Sequence, residues 1–205
     1  AKYNGAENVD IANKTEFIDS KFRKLFDSDA DIATILKGFK IVDFDTGDIT
    51  GFRAAAYKNG NIVIIVYCGT EDGADVAADI ASGTIDFSSQ DNQAKQFAND
   101  NADRYPECDL YVTGYSLGGR LAYLGTEALG DNSSAKDRVR RVVTFNGLGV
   151  KNPGNIVKNI SSSLITNYIV KGDTVSDGWV KANANMNHVG KDVIYTCTNP
   201  YDEGY

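Results

Sequence analysis

The chain has 205 residues, with 21 Lys and Arg against 28 Asp and Glu, and a formal net charge of −7. That balance argues against a nucleic-acid partner, which needs clustered cations to neutralise phosphate. It also disfavours docking on anionic lipid by charge alone. Cys68, Cys108 and Cys197 lie far apart, without metal-ligand spacing, and their odd number reads as buried or free thiols rather than a disulfide scaffold.

The length suits one domain, taken as residues 1–205, because no repeat, low-complexity tract or linker divides it. No apolar run is long enough to span a bilayer. The chain does not open on methionine and shows no signal-peptide pattern, the expectation for a trimmed or processed form. Composition leaves the compartment open between secreted and cytoplasmic.

Residues 1–37 are polar, with Phe17, Phe22, Leu25 and Phe26, then Ile32, Ile35 and Leu36, at helical spacing; this predicts two helices. A strand is predicted over 39–44. Asp43, Asp45 and Asp48 surround Gly47 but lack the closing Glu of a calcium loop, and read as a polar turn between strands. Residues 51–57 and 62–67 read as a hairpin about Asn59-Gly60, the second strand apolar on both faces and therefore central. Ala94, Phe97 and Ala98 mark a helix over 89–104. Strands are predicted over 110–113, 141–146 and 164–170, a helix over 121–129, and an edge strand over 193–196. The basic run 136–141, interrupted by Asp137, reads as a solvated helix end or loop before a strand. This alternation predicts an α/β fold with a mostly parallel central sheet flanked by helices.

Chemistry concentrates at Gly114-x-Ser116-x-Gly118, with a strand before it and a helix after it. This is the nucleophile-elbow pattern, which holds a serine hydroxyl out above the sheet on a tight turn. Serine needs an adjacent base, and the base needs an orienting acid. The chain's one histidine is His188, so a Ser-His mechanism assigns the base to it. In this fold the triad runs Ser, acid, His along the chain. Asp173, in the loop after strand 164–170, fits the acid; Asp177 is the second choice, and Asp192 follows His188 out of order. Asp173 also suits a plain turn. The oxyanion hole takes the backbone N–H of Leu117 and, from the loop after strand 62–67, Thr70. Thr70 equally suits a helix N-cap before Asp72.

Taken in order, Val63 to Thr70, Tyr111 to Gly119, Val143 to Gly147 and Gly172 to Val175 resemble the class 3 lipase family of α/β-hydrolases, which has bacterial relatives. The resemblance covers roughly residues 62–188. It implies an α/β-hydrolase fold, a Ser116, Asp173, His188 triad and oxyanion donors at Thr70 and Leu117. It further implies cofactor-free hydrolysis of carboxylic esters, often acylglycerols or phospholipids, with transient contact at a lipid interface. Residues 71–82 would form the lid. That stretch is acidic (Glu71, Asp72, Asp75, Asp79) and its apolar residues are mostly Ala, Tyr115 stands where many members have His, and Trp179 lies beyond the acid. These features point to a smaller or more soluble ester. A phospholipase, thioesterase or amidase on the same machinery, and a hydrolase-fold binding module without turnover, are the alternatives.

Overall fold

The computed structural model describes residues 38–46, 50–69, 87–173, 175–176 and 186–196. The two helices expected over 1–37 and the lid over 71–82 lie outside these. Among the described residues, seven strands form one sheet in chain order: β1 Lys40–Asp45, β2 Ala54–Asn59, β3 Ile62–Tyr67, β4 Asp109–Tyr115, β5 Val139–Phe145, β6 Ile165–Val170 and β7 Lys191–Tyr195. The first two joins are antiparallel and the other four parallel. The expected mostly parallel sheet is therefore present, with β7 at its edge.

The β2–β3 hairpin pairs Asn59 with Ile62, so Gly60 and Asn61 form the turn, one residue later than expected. Gly60 takes a φ of 54°, and glycine carries a positive φ without steric cost. In β3, Val63, Ile65 and Tyr67 are fully buried while the alternate residues are half-buried. The strand is central, as its composition predicts, but its two faces are unequally covered.

Two helices pack together on the sheet: α1 Phe87–Arg104 and α2 Leu117–Asp131. Ala94, Phe97 and Ala98 form the buried stripe of α1, as their spacing requires. Tyr67 packs its ring against Phe52 and Phe97 and donates its hydroxyl to the Ala94 carbonyl at 2.8 Å. The hydroxyl is thus satisfied in a site where an unpaired one would be costly. Arg120 of α2 reaches Asp91 of α1 at 2.5 Å, and Lys95 reaches Glu127 at 3.0 Å. A short helix, α3 Pro153–Val157, follows β5.

Two expectations about charge change here. Asp43 lies inside β1, beyond a bulge, not in a polar turn; it meets Asn101 at 2.9 Å and Arg104 at 3.1 Å. Burial pushes its carboxyl above the usual range against the opposing pull of Arg104. The basic run 136–141 begins as a 3₁₀ turn, but Arg138 is not merely solvated. Its guanidinium donates to the carbonyls of Ala102 (3.0 Å), Tyr105 (3.0 Å) and Cys108 (2.8 Å). A cation there occupies the carbonyl end of α1, which the helix itself leaves unbonded. Arg138→Met keeps the stem and removes these donors. It is expected to lower stability by about 1–3 kcal/mol, read as a fall in Tm, with activity at the assay temperature retained.

Candidate active site

The turn from β4 into α2 carries Ser116 at φ 56° and ψ −123°. Few residues with a side chain adopt a positive φ, and such strain concentrates at functional sites. The neighbours explain how it persists. Ser116 N donates to the Phe145 carbonyl at 3.0 Å, and its own carbonyl accepts from Gly119 N at 3.0 Å and Leu148 N at 3.1 Å. A side chain at Gly114 would run into the Gly118 backbone, and one at Gly118 into the Tyr67 carbonyl. The two flanking glycines therefore let β4, α2 and the end of β3 meet around the serine.

Leu117 is the first residue of α2, where backbone N–H groups have no carbonyl one turn earlier to bond. That geometry suits its expected role as an oxyanion donor. Thr70 lies outside the described residues. Gly69, just before it, is packed so closely on the elbow that an added Cβ would stand 2.8 Å from the Tyr115 carbonyl. The chain leaving β3 therefore passes directly beside Ser116. Trp179, Asp177 and Cys197 also fall outside the description.

Asp173 follows the carboxyl end of β6 after Gly172, whose φ is 86°. Its Oδ1 accepts from the backbone N–H groups of Val175 (3.0 Å) and Ser176 (2.8 Å) and from the Ser176 hydroxyl (2.9 Å). Its Oδ2 faces Asn146 Nδ2 at 3.3 Å. The sequence reading assigned no part in the site to Asn146, which meets this carboxylate. It follows β5 at φ 44°, and its Oδ1 accepts from Val170 N at 2.8 Å. It thereby ties the ends of β5 and β6 to the loop that carries Asp173. Its place in Phe145-Asn146-Gly147, directly after an apolar strand, was the available signal.

The structure does not pair His188 with Asp173. His188 Nδ1 faces Asp192 Oδ2 at 3.3 Å, and Nε2 faces the Gly147 carbonyl at 3.0 Å. The reason is topological. Ser116, Asn146 and Asp173 follow the carboxyl ends of β4, β5 and β6, where open α/β sheets build their sites. His188 instead leads into the amino end of β7. The β6–β7 register sets Asp192 beside Asn167, so the acid set aside for its chain order is the one the ring meets.

The hydrogen bond from His188 holds the Asp192 carboxyl below its ordinary 3.8. A carboxyl depressed in the folded state adds stability above its unfolded value, and loses it as pH falls through the folded value. Asp192→Asn is thus expected to lower stability at pH 7 by up to about 1 kcal/mol, since the pair is partly exposed. The difference from the parent, followed by Tm, should shrink steadily below about pH 4.

Beside Asn146, a cavity of about 520 Å³ is lined by Phe145, Tyr168, Val170 and Tyr195. The rings of Phe145 and Tyr168 stack at 5.5 Å, and those of Tyr168 and Tyr195 at 6.0 Å. Among the described residues, no cluster of His, Cys, Asp and Glu could hold a metal ion, and no helix is long and apolar enough to cross a membrane.

A family model, the Tle-like phospholipase domain, matches residues 6–193. The chain belongs to that family. The Tle-like phospholipase domain described here also resembles solved lipases. The Rhizomucor miehei lipase in its propeptide complex is 16% identical with a TM-score of 0.64, over 96% of this chain and 71% of that one. The lipase of Rhizopus microsporus var. chinensis is 16% identical with a TM-score of 0.62, over 92% and 75%. Lip2 lipase of Yarrowia lipolytica is 18% identical with a TM-score of 0.57, over 79% and 67%. These likenesses establish the α/β-hydrolase fold. No curated protein matches the sequence. Family and fold agree with the lipase-like carboxylic ester hydrolase that the resemblance implies.

Proposed function

We propose that this Tle-like domain cleaves the acyl ester of a phospholipid or a smaller, more soluble acyl ester, with Ser116 as nucleophile. The observation that carries the reading is the strained backbone of Ser116 at the head of α2. The hydroxyl would attack the ester carbonyl, the alcohol would leave, and water would release the acyl group from the serine. The Leu117 N–H, with Thr70 from the loop that Gly69 delivers, would stabilise the tetrahedral oxyanion. Asp173, fixed by Asn146 and the 175–176 turn, is the acid we assign to the site. The apolar cavity beside Asn146 supports an acyl chain as part of the substrate. The domain needs no cofactor for this chemistry.

The reaction requires a base at the serine. His188, the chain's one imidazole, meets that need only if its Nε2 leaves the Gly147 carbonyl. This engagement favours a second reading, a hydrolase-fold module that binds acyl lipid without turnover. Labelling by a fluorophosphonate separates the two. Stoichiometric labelling of the folded chain at Ser116, with hydrolysis of short acyl phospholipids, supports the enzyme. A folded chain that binds those lipids but neither labels nor turns over supports the binding module.

A further inference from the structure

We propose that Asn146 is a positioning residue that sets the acid against the nucleophile: its amide holds Asp173 Oδ2, the carboxylate oxygen offered to the base, while the backbone on either side of it clamps Ser116. This rests on the reading of Ser116 as nucleophile and Asp173 as acid.

The two oxygens of Asp173 are used differently. Oδ1 accepts from Val175 N, Ser176 N and the Ser176 hydroxyl, at 3.0, 2.8 and 2.9 Å. Those are the bonds of an aspartate-capped turn, and a plain turn former needs no others. Three donors fill an oxygen that has two lone pairs. Oδ2 stands outside that turn. Among the described residues its one donor is Asn146 Nδ2, at 3.3 Å. Oδ2 therefore keeps a lone pair for a further donor, and an imidazole that has taken the serine proton supplies one.

Asn146 is itself tied to β6. Its N–H donates to the Tyr168 carbonyl at 2.8 Å, and its Oδ1 accepts from Val170 N at 2.8 Å. The Val170 carbonyl accepts from Asp173 N at 3.0 Å, so Asn146, Val170 and Asp173 close a ring of hydrogen bonds. The side chain in this ring must both accept and donate, which an amide does and a carboxylate does not. The φ of 44° adds a second demand, since asparagine and aspartate are among the few residues with a side chain that adopt it readily. Asparagine meets both demands; aspartate meets only the second.

The neighbours of Asn146 reach the elbow. The Phe145 carbonyl accepts from Ser116 N at 3.0 Å, and Leu148 N donates to the Ser116 carbonyl at 3.1 Å. Nucleophile and acid are thus held from one short segment, residues 145–148. Reacting groups must be placed to within about 0.5 Å, and supporting hydrogen bonds of this kind supply that precision.

The test compares Asn146→Gly, Asn146→Asp and the exchanged pair Asn146→Asp/Asp173→Asn in the full chain, with dihexanoyl phosphatidylcholine as substrate. Glycine keeps the positive φ and loses both side-chain bonds. Aspartate keeps the acceptor for Val170 N but sets a second carboxylate against Oδ2. Both are expected to lose about ten- to a hundredfold in kcat, with KM within about twofold of the parent. The exchanged pair again places an amide beside a carboxylate, so Tm should return toward the parent. Its kcat should stay low, because the acid then stands at the wrong position. A folded Asn146→Gly or Asn146→Asp with parental kcat overturns the proposal, as does a loss confined to KM or a recovery of kcat in the exchanged pair. Parental kcat in Asp173→Asn alone would remove the acid assignment and this proposal together, and leave hydrolysis by Ser116 standing. The parent supplies a reading of its own by NMR. The Asn146 side-chain amide resonance should shift in step with the Asp173 carboxyl carbon as acid protonates that carboxyl. An amide that does not follow overturns the proposal, whether or not the variants fold and whether or not the chain hydrolyses lipid.

Discussion

Ser116→Ala is expected to lower kcat by about 10⁶-fold, the scale on which removal of a nucleophilic serine acts in other hydrolases. Fluorophosphonate labelling should vanish with it. Tm should hardly move, because the substitution keeps the Cβ and removes only one oxygen. The backbone bonds that maintain the turn, from Ser116 N to Phe145 and from Gly119 and Leu148 to the Ser116 carbonyl, do not involve the side chain. Comparing melting with rate therefore isolates the hydroxyl. Hydrolysis persisting in the variant at more than a few per cent of the parent would place the nucleophile elsewhere.

Gly118→Ala should damage both fold and rate, although it adds a single methyl group. The new carbon would collide with the Tyr67 carbonyl, a backbone atom that no rotamer change can move aside. Tyr67 is itself clamped, its ring packed against Phe52 and Phe97 and its hydroxyl bonded to Ala94. The strain must therefore move α2 away from β3. Overpacking of this kind costs about 1–3 kcal/mol, visible as a lower Tm. The same shift would displace Leu117 N–H and the serine together, with a loss of about a hundredfold in kcat. The contrast with Ser116→Ala is diagnostic: Gly118→Ala should lower Tm, whereas Ser116→Ala should not. A Gly118→Ala variant with parental Tm and rate would show that the elbow does not need so close an approach.

Much of this was legible before any fold was known, because it is local. The elbow is written in five residues, with an apolar strand before it and a helix after it. The β-branched run of β3 and the stripe of α1 follow directly from side-chain periodicity. Boundaries drifted where tertiary packing overrides propensity. Helix α2 begins at Leu117 although two glycines follow, because the elbow and the buried site hold them. Asp43 looked like part of a polar turn because its partner Asn101 is 58 residues away. Arg138 looked solvated because the carbonyls it reaches lie 30 to 36 residues earlier.

The histidine shows most sharply what tertiary structure alone decides. By itself, the sequence determined a mostly parallel α/β sheet and a serine on a strand-to-helix turn, and with them the class of chemistry, since both depend on neighbours a few residues apart. It also showed that only one imidazole could serve. Which groups that imidazole meets depends on the register of β7 against β6, which sets Asp192 beside Asn167, and on the segment after β5, which brings the Gly147 carbonyl to the ring across 41 residues. Those are long-range pairings, chosen by the packing of the whole sheet and its buried polar network, and no local pattern in the chain encodes them.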